Sequence, residues 1–291
     1  MFACGPALLT PANVRNYLLD SYTANAWSIC SLRKRITAYA GSSVRVRRSN
    51  DNLEADIGFN ADGMLNTTAL ATHVGSNSGY VVKFYDQSGG LRDFSHATAA
   101  NQPRIVNAGT YDGKLVFDGT ANGLATASSS GTPSAFTALL NAKLRSSASV
   151  CVILEQSSNY NSNDAAVMFA DPSTGANVNV HGGSPTPSYY AVSTFTGAYP
   201  NNNVQCYRVD RAQSSGANQA VFFIDGVKQT RTGSAGETSP LPSGNYTANP
   251  WYLGARATSS LFSPIDVFDL VIYEAAKSDA DVAAISAVLA P

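Results

Sequence analysis

The residues of this chain that could do acid–base chemistry are its carboxylates. The three histidines, His73, His96 and His181, are far apart and read as surface or loop residues. The four cysteines, Cys4, Cys30, Cys151 and Cys206, form no CxxC pair and match no zinc spacing. Cys151 in "SVCVIL" reads as a buried apolar thiol, and a Cys4–Cys30 disulfide is possible. Among the carboxylates, Asp86 stands out. It ends the apolar run of "GYVVKFYDQSGG" within Tyr85-Asp86-Gln87-Ser88-Gly89. There it could serve as a general acid or a sugar ligand, but Asp followed by Ser-Gly is also an Asx-type turn, the reading preferred here. Asp225 belongs to an Asp-Gly hairpin turn. Asp51, Glu54 and Asp56 offer oxygens for Ca²⁺, but at no EF-hand spacing. Pairing with Arg45, Arg47 and Arg48 is expected instead. Asp164 and Asp171 are expected on loops, in solvent. No nucleophile elbow, P-loop or HExxH motif is present. No cofactor and no metal are expected.

Two surfaces are candidates for binding. One is basic: Arg33, Lys34, Arg35, Arg45, Arg47 and Arg48. A net charge of −1 and the lack of interleaved aromatics exclude nucleic acid as the expected partner, which leaves an acidic protein surface or internal salt bridges. The other is aromatic: Tyr160, Tyr189, Tyr190, Tyr199, Tyr246 and Trp251 lie in or beside Asn/Ser/Gly-rich loops. Rings flanked by amides and hydroxyls suit a sugar, whose CH groups stack and whose hydroxyls pair. They also suit a protein interface or ordinary loop packing.

The elements that must position these residues are mostly strands. At 44% apolar and 13% charged residues, the chain of 291 can build a core and is not disordered. Thr10 and Pro11 open a helical pattern, and "SICSLRKRITAYA" reads as a second helix or an extended arm. "SSVRVRRS" then alternates with period two, as a half-exposed strand does. A helical turn is expected over 66–74. Short strands follow, among them "GYVVKFYD", "QPRIV", "KLVFDG", "SVCVILEQ", "AAVMFAD", "VQCYRVDR" and "IDVFDLVIYEA". Only "SDADVAAISAVLA" returns to helical spacing, with Ser278 as N-cap. Many short strands, polar turns and one closing helix predict an all-β sandwich. No apolar run reaches a membrane-spanning length, and residues 1–10 lack a secretory pattern, so no membrane insertion is expected.

"KLVFDGTANGLAT", "AVFFIDGVKQT" and "WYLGAR…IDVFDLVIYEAAKSDADVAAI" follow an order that resembles concanavalin A-like (laminin-G-like) jelly rolls over roughly residues 100–291. "SLRKRITAYAGSSVRVRRSNDNLEADIGF", "YVVKFYDQSGG" and "ANQPRIV", within residues 31–106, resemble a module of tailed-bacteriophage virion proteins. The same segment is similar to the start of the catalytic domain of α-L-arabinofuranosidase B, a retaining glycosidase family. That resemblance implies a nucleophilic Glu shortly after the central aromatic strand, and an acid/base Asp in the turn after an "I-L-G" strand. Here "AAVMFADPSTGANV" offers Asp171 but no Glu, and "WYLGARATSSLF" places Arg256 and neutral residues where the acid would be.

These readings lead to the following expectations. The fold is a concanavalin A-like jelly-roll β-sandwich with an N-terminal helical or extended segment and a short C-terminal helix. Residues 1–40 form an anchoring or oligomerisation segment and residues 41–291 the sandwich. Within the sandwich, 41–106 is the arabinofuranosidase-B-like module and 107–291 the laminin-G-like core. The function expected is that of a non-enzymatic bacteriophage particle protein, a capsid decoration, fibre or receptor-binding module assembled in the host cytoplasm. Its partners would be other virion proteins, itself as a homotrimer, and host-surface glycans. The alternative is a glycoside hydrolase of arabinofuranosidase type acting on cell-surface polysaccharide.

Overall fold

The computed structural model describes residues 18–127, 129–146, 149–157, 164–173, 175–182, 189–195, 203–233, 237 and 241–290. Its strands in chain order are β1 (Ala26–Ser31), β2 (Val44–Arg48), β3 (Glu54–Ile57), β4 (Gly79–Phe84), β5 (Phe94–Ser95), β6 (Arg104–Asn107), β7 (Thr110–Val116), β8 (Leu124–Thr126) and β9 (Ala135–Leu144). They continue with β10 (Cys151–Gln156), β11 (Ala166–Asp171), β12 (Gly175–Gly182), β13 (Tyr189–Phe195), β14 (Asn203–Asp210), β15 (Ala220–Ile224), β16 (Val227–Lys228), β17 (Trp251–Leu253) and β18 (Ile265–Tyr273). Helix α1 (Thr67–Val74) lies between β3 and β4, α2 (Gly216–Gln219) precedes β15, and α3 (Asp279–Leu289) closes the described chain. Asn66 caps α1 and Ser278 caps α3, each accepting a backbone N–H of the first turn.

The ladders between these strands are antiparallel and trace two layers. One runs β16–β15–β14–β9–β18, with β1 and β7 sharing the far edge of β18. The other runs β13–β12–β11–β10–β17–β8–β5. Strands β6, β4, β2 and β3 join the layers, through β7–β6–β4 on one side and β5–β4 on the other. The expected all-β sandwich is therefore what the chain forms.

Alternation explains the core. On β9, Phe136, Ala138, Leu140, Ala142 and Leu144 face inward; Leu139 faces out, under α3. On β18, a register shift between Val267 and Asp269 lets Ile265, Val267, Leu270 and Ile272 all point inward. Helix α3 supplies Val282, Ile285 and Leu289 to the outer cluster, against Val204, Cys206, Phe223 and Tyr273. Both faces of β9 are thus covered, and nine of its ten residues are buried.

Of the two readings of residues 28–40, the extended one holds: β1 is a strand paired to β18 of its own chain. Cys30 is a free buried thiol, and Cys4, its possible partner, lies outside the described residues. Cys151 is buried, as its apolar run predicts.

The other edge of β1 is held by side chains of the "YDQSGG" turn. Asp86 Oδ1 accepts the N–H of Ile29 at 2.9 Å and of Ser88 at 2.8 Å, and Oδ2 accepts the Ser88 hydroxyl at 2.7 Å and the N–H of Arg92 at 3.1 Å. The Gln87 N–H donates to Ile29 O; its Oε1 accepts the N–H of Arg35, and its Nε2 donates to the carbonyls of Ser31 and Arg33. Gly89 has φ of 88°, the left-handed backbone the turn needs. Asp86 is structural, as the Asx-turn reading predicts.

The basic patch does not assemble. Arg35 is buried, with its Nε and Nη2 on Asp269 Oδ1 at 3.0 and 2.7 Å. Arg47 is buried too, and donates to Gln102 and Asn52. Arg45 pairs with Asp56 and Arg48 with Asp51, the internal pairing that their spacing suggested. Lys34 donates its backbone N–H to Gly63, and Arg33 lines a cavity on the other side. The six residues alternate between faces and between core and surface, so they present no common face to a partner.

Two stability predictions follow. Asp86→Ala leaves three buried or half-buried N–H groups without their acceptor and is expected to cost about 3 kcal/mol. Arg35→Ala leaves Asp269 as an uncompensated buried charge and is expected to cost about 3–5 kcal/mol. Urea unfolding measures both, and losses under about 1 kcal/mol would show that neither contact holds β1.

Candidate active site

Strand β10 carries Glu155, a fully buried carboxyl that the sequence patterns did not single out. It pairs across the ladders with Tyr252 of β17 and Val167 of β11. The Ser157 hydroxyl donates to its Oε1, and Oε2 has no hydrogen-bond partner. Burial pushes the Glu155 carboxyl above its ordinary value; the Ser157 hydroxyl, the N–H of Ala257 and the charge of Arg256 oppose that shift without cancelling it. On the same outer face, Val152, Ala165 and Val167 pack with Phe169 and Leu261.

The segment after β17 covers this carboxyl. It is stitched to β10 by Gly254 N–H to Ile153 O, Val152 N–H to Leu261 O and the Ser263 hydroxyl to Val152 O. Arg256 and Ser260 exchange backbone bonds around a tight loop. Within it Ala257, Thr258 and Leu261 have φ of 46°, 53° and 46°, left-handed values that cost non-glycine residues roughly 1–3 kcal/mol each. Gly254 is obligatory, with φ of 82° and no room for a Cβ, which would lie 2.4 Å from the Phe117 ring. A strained loop is thereby held over a buried acid, with Arg256 and the Ala257 N–H turned toward the carboxyl.

Tyr252 is the aromatic neighbour. Its hydroxyl is pushed up first by burial and then by the charge of Glu155, which sets the phenol beside the carboxyl. The sequence reading chose its neighbour Trp251, but alternation sends Trp251 into the core, fully buried, with its ring 5.2 Å from Phe136. Tyr246 is buried as well, under the guanidinium of Arg211 at 3.7 Å. Neither can be an exposed sugar platform, because each aromatic face is spent on the core. Tyr189 and Tyr190 lie on β13, with side chains outside the described ones, and Tyr160 and Tyr199 lie outside the described residues.

A second carboxylate stands at the same end of these strands. Asp164 was expected in solvent; instead it pairs with the buried guanidinium of Arg211 at 2.8 Å and accepts the N–H of Thr247 at 3.1 Å. Thr247 O in turn accepts Gln156 Nε2, one residue from Glu155. Asp171 ends β11 at the opposite end of the ladder, opposite Gly175. His181, expected on a loop, belongs to β12, and burial with the charge of Arg211 lowers it to about 4. Among the described residues, no group of three or more His, Cys, Asp and Glu side chains could hold a metal.

The direction of the Glu155 shift has a consequence for stability. A carboxyl whose folded value is raised binds its proton more tightly in the native state, so its burial costs nothing at low pH. Stability is lost as pH rises from the ordinary value of 4.5 through the raised one. Glu155→Gln is therefore expected to melt near the parent at pH 4 and progressively higher than it toward pH 8. Parallel melting curves at all pH values would place Glu155 in solvent.

No family model matches the chain, and no curated protein matches it either. Solved structures do. An arabinofuranosidase complexed with arabinofuranosyl-α-1,2-xylobiose is similar over 93% of this chain, with a TM-score of 0.65 and 14% identity. Two GH54 α-L-arabinofuranosidase structures, one a mutant soaked with 4-nitrophenyl α-L-arabinofuranoside and one soaked with a cyclic sulfate inhibitor, match with TM-scores of 0.60 and 0.58. This chain spans 64% of the length of each. At this identity the likeness shows a shared sandwich fold. The expectation of a non-enzymatic protein is corrected by it: these three structures, alike over 93% of this chain, are of arabinofuranosidases, and the loop expected to lack an acid lies against the carboxyl of Glu155, supplied by a different strand.

Proposed function

We propose that this chain is a carbohydrate-active domain, a glycoside hydrolase of arabinofuranosidase type acting on polysaccharide, with Glu155 as its acid. The observation that carries the reading is the raised, half-satisfied Glu155 carboxyl beneath the loop after β17, in a fold shared with arabinofuranosidases. Glycosidic cleavage needs one carboxyl that keeps its proton for the departing oxygen and a second that stays ionised. Burial in an apolar setting prepares Glu155 for the first role. Asp164, paired with Arg211, is the carboxylate nearest in the chain that can take the second. Tyr252 adds an aromatic face, and Arg256 a cation, beside the acid. Because Glu155 is covered, substrate reaches it only when the 254–263 loop lifts, and the left-handed residues of that loop lower the cost of doing so.

The test is release of 4-nitrophenol from 4-nitrophenyl α-L-arabinofuranoside by the full chain. Glu155→Gln is expected to lower kcat by about 10²–10⁴-fold while keeping the parent's circular dichroism. Asp164→Asn separates a chain with one working carboxyl from one with two. No release by the parent chain, or equal release by Glu155→Gln, overturns the reading. A place on a virus particle rests on the resemblance of residues 31–106 alone. Immunogold labelling of purified particles decides that location independently of activity.

A further inference from the structure

Strands β2, β4, β6 and β7 turn Val46, Val81 and Leu115 toward the core, and on their other face they carry a row of side chains at paired positions. Arg47 of β2 stands opposite Tyr80 of β4, Tyr80 opposite Arg104 of β6, and Arg104 opposite Val116 of β7. This row floors a cleft of 480 Å³, inside the range of about 300–1,000 Å³ that holds small ligands. Neighbouring strands lie about 4.8 Å apart, so the two arginines start ~10 Å from each other with Tyr80 between them.

Arg47 is the unusual member. It is 9% exposed, and no carboxylate among the described residues pairs with it. Its Nε donates to Gln102 Oε1 at 2.7 Å, Nη1 to Asn52 Oδ1 at 2.8 Å and Nη2 to Ala99 O at 3.2 Å, all neutral acceptors. The carboxylates around it are engaged elsewhere: Asp51 with Arg48, Asp56 with Arg45 and Asp112 with Arg104. Glu54, opposite it on β3, is exposed and forms no ion pair with it. Asp118, on the rim of the cleft, is exposed too, and its Oδ1 is held by the N–H groups of Thr120, Ala121 and Asn122. Charged side chains are seldom buried without a counter-charge, because only pairing repays their desolvation. The guanidinium also keeps one N–H on each Nη nitrogen for a ligand. Gln102 and Ala99, which accept from it, and the Tyr80 ring, 5.0 Å from its carbon, all line the cleft, which sets the charge at the cleft wall.

The surplus is a single positive charge. One carboxylate matches it, whereas a phosphate monoester brings a charge of about −2. We infer that this cleft binds one uronic acid unit. Its carboxylate accepts from Arg47, its ring lies beside Tyr80, and a ring hydroxyl donates to Asp118 at the rim. The sugar ring rests on the carbohydrate-active reading proposed above; the anion rests on Arg47 alone.

Free D-glucuronate is the probe, titrated calorimetrically into the full chain, with D-glucose as the neutral control and acetate as the anion without a ring. Glucuronate is expected to bind with a Kd of about 1 mM, and each control about tenfold more weakly or worse. Arg47→Met is expected to weaken glucuronate by about tenfold or more, the loss of a charge-assisted contact. Ala100→Trp fills the cleft from an exposed position on its wall and is expected to abolish binding with an unchanged melting temperature; it decides the matter if Arg47→Met does not fold. Glu155→Gln is expected to bind glucuronate as the parent does. Absence of binding at ~20 times that Kd, equal binding of glucose or of acetate, or parent-like binding by folded Arg47→Met or Ala100→Trp each overturns the assignment. A chain that binds glucuronate but releases no 4-nitrophenol keeps this site and loses the hydrolase reading; the opposite result keeps the hydrolase and loses the site.

Discussion

The structure depends on how the second edge of β1 is satisfied. One edge of the strand pairs with β18. The other would leave backbone groups of Ile29, Ser31, Arg33 and Arg35 buried without partners, and side chains of one turn take them instead. Asp86 accepts from Ile29, and Gln87 bonds to Ser31, Arg33 and Arg35. Buried backbone polar groups must be paired, and a carboxylate and an amide at adjacent positions do here what another strand does elsewhere. The turn that looks most like an active-site loop is therefore spent on architecture.

The clasp extends inward. Fixing the backbone of Arg35 aims its guanidinium at Asp269, which also accepts from Ser31 and Asn141. Arg35 and Asn141 in turn bond to the carbonyls of Val288 and Leu289, at the end of α3. A single polar network thus ties β1, the two central strands and the closing helix together across the outer face. Networks of this kind gain most when every member is satisfied, and Asn141 Oδ1 is a buried member with no donor.

The opposite layer treats its carboxyl differently. Asp269 meets a guanidinium and backbone-positioned donors; Glu155 meets apolar side chains, one hydroxyl and one N–H. Equal burial with unequal partners gives one carboxylate a matched charge and the other a proton it keeps to higher pH. The difference separates a carboxyl tied into the fold's polar network from one held beneath a loop with a raised proton affinity.

What the sequence by itself determined is local. Period-two alternation showed the strands, the Asp-Gly pair at 225–226 showed a hairpin, Ser278 and Asn66 mark helix starts, and of the three arginines expected to pair within 45–56, Arg45 and Arg48 meet Asp56 and Asp51 while Arg47 turns to Gln102 and Asn52. Those features depend on residues a few positions apart, so the chain order contains them. Only the tertiary structure decided which of Trp251 and Tyr252 faces the core, since either register of an aromatic pair reads alike until the opposing layer is in place. It alone brought Glu155 under a loop about a hundred residues later, and Asn141 beside Asp269. Both contacts are made across sheet neighbours far apart in the chain, and burial, which sets the proton affinity of Glu155, exists only once the layers close.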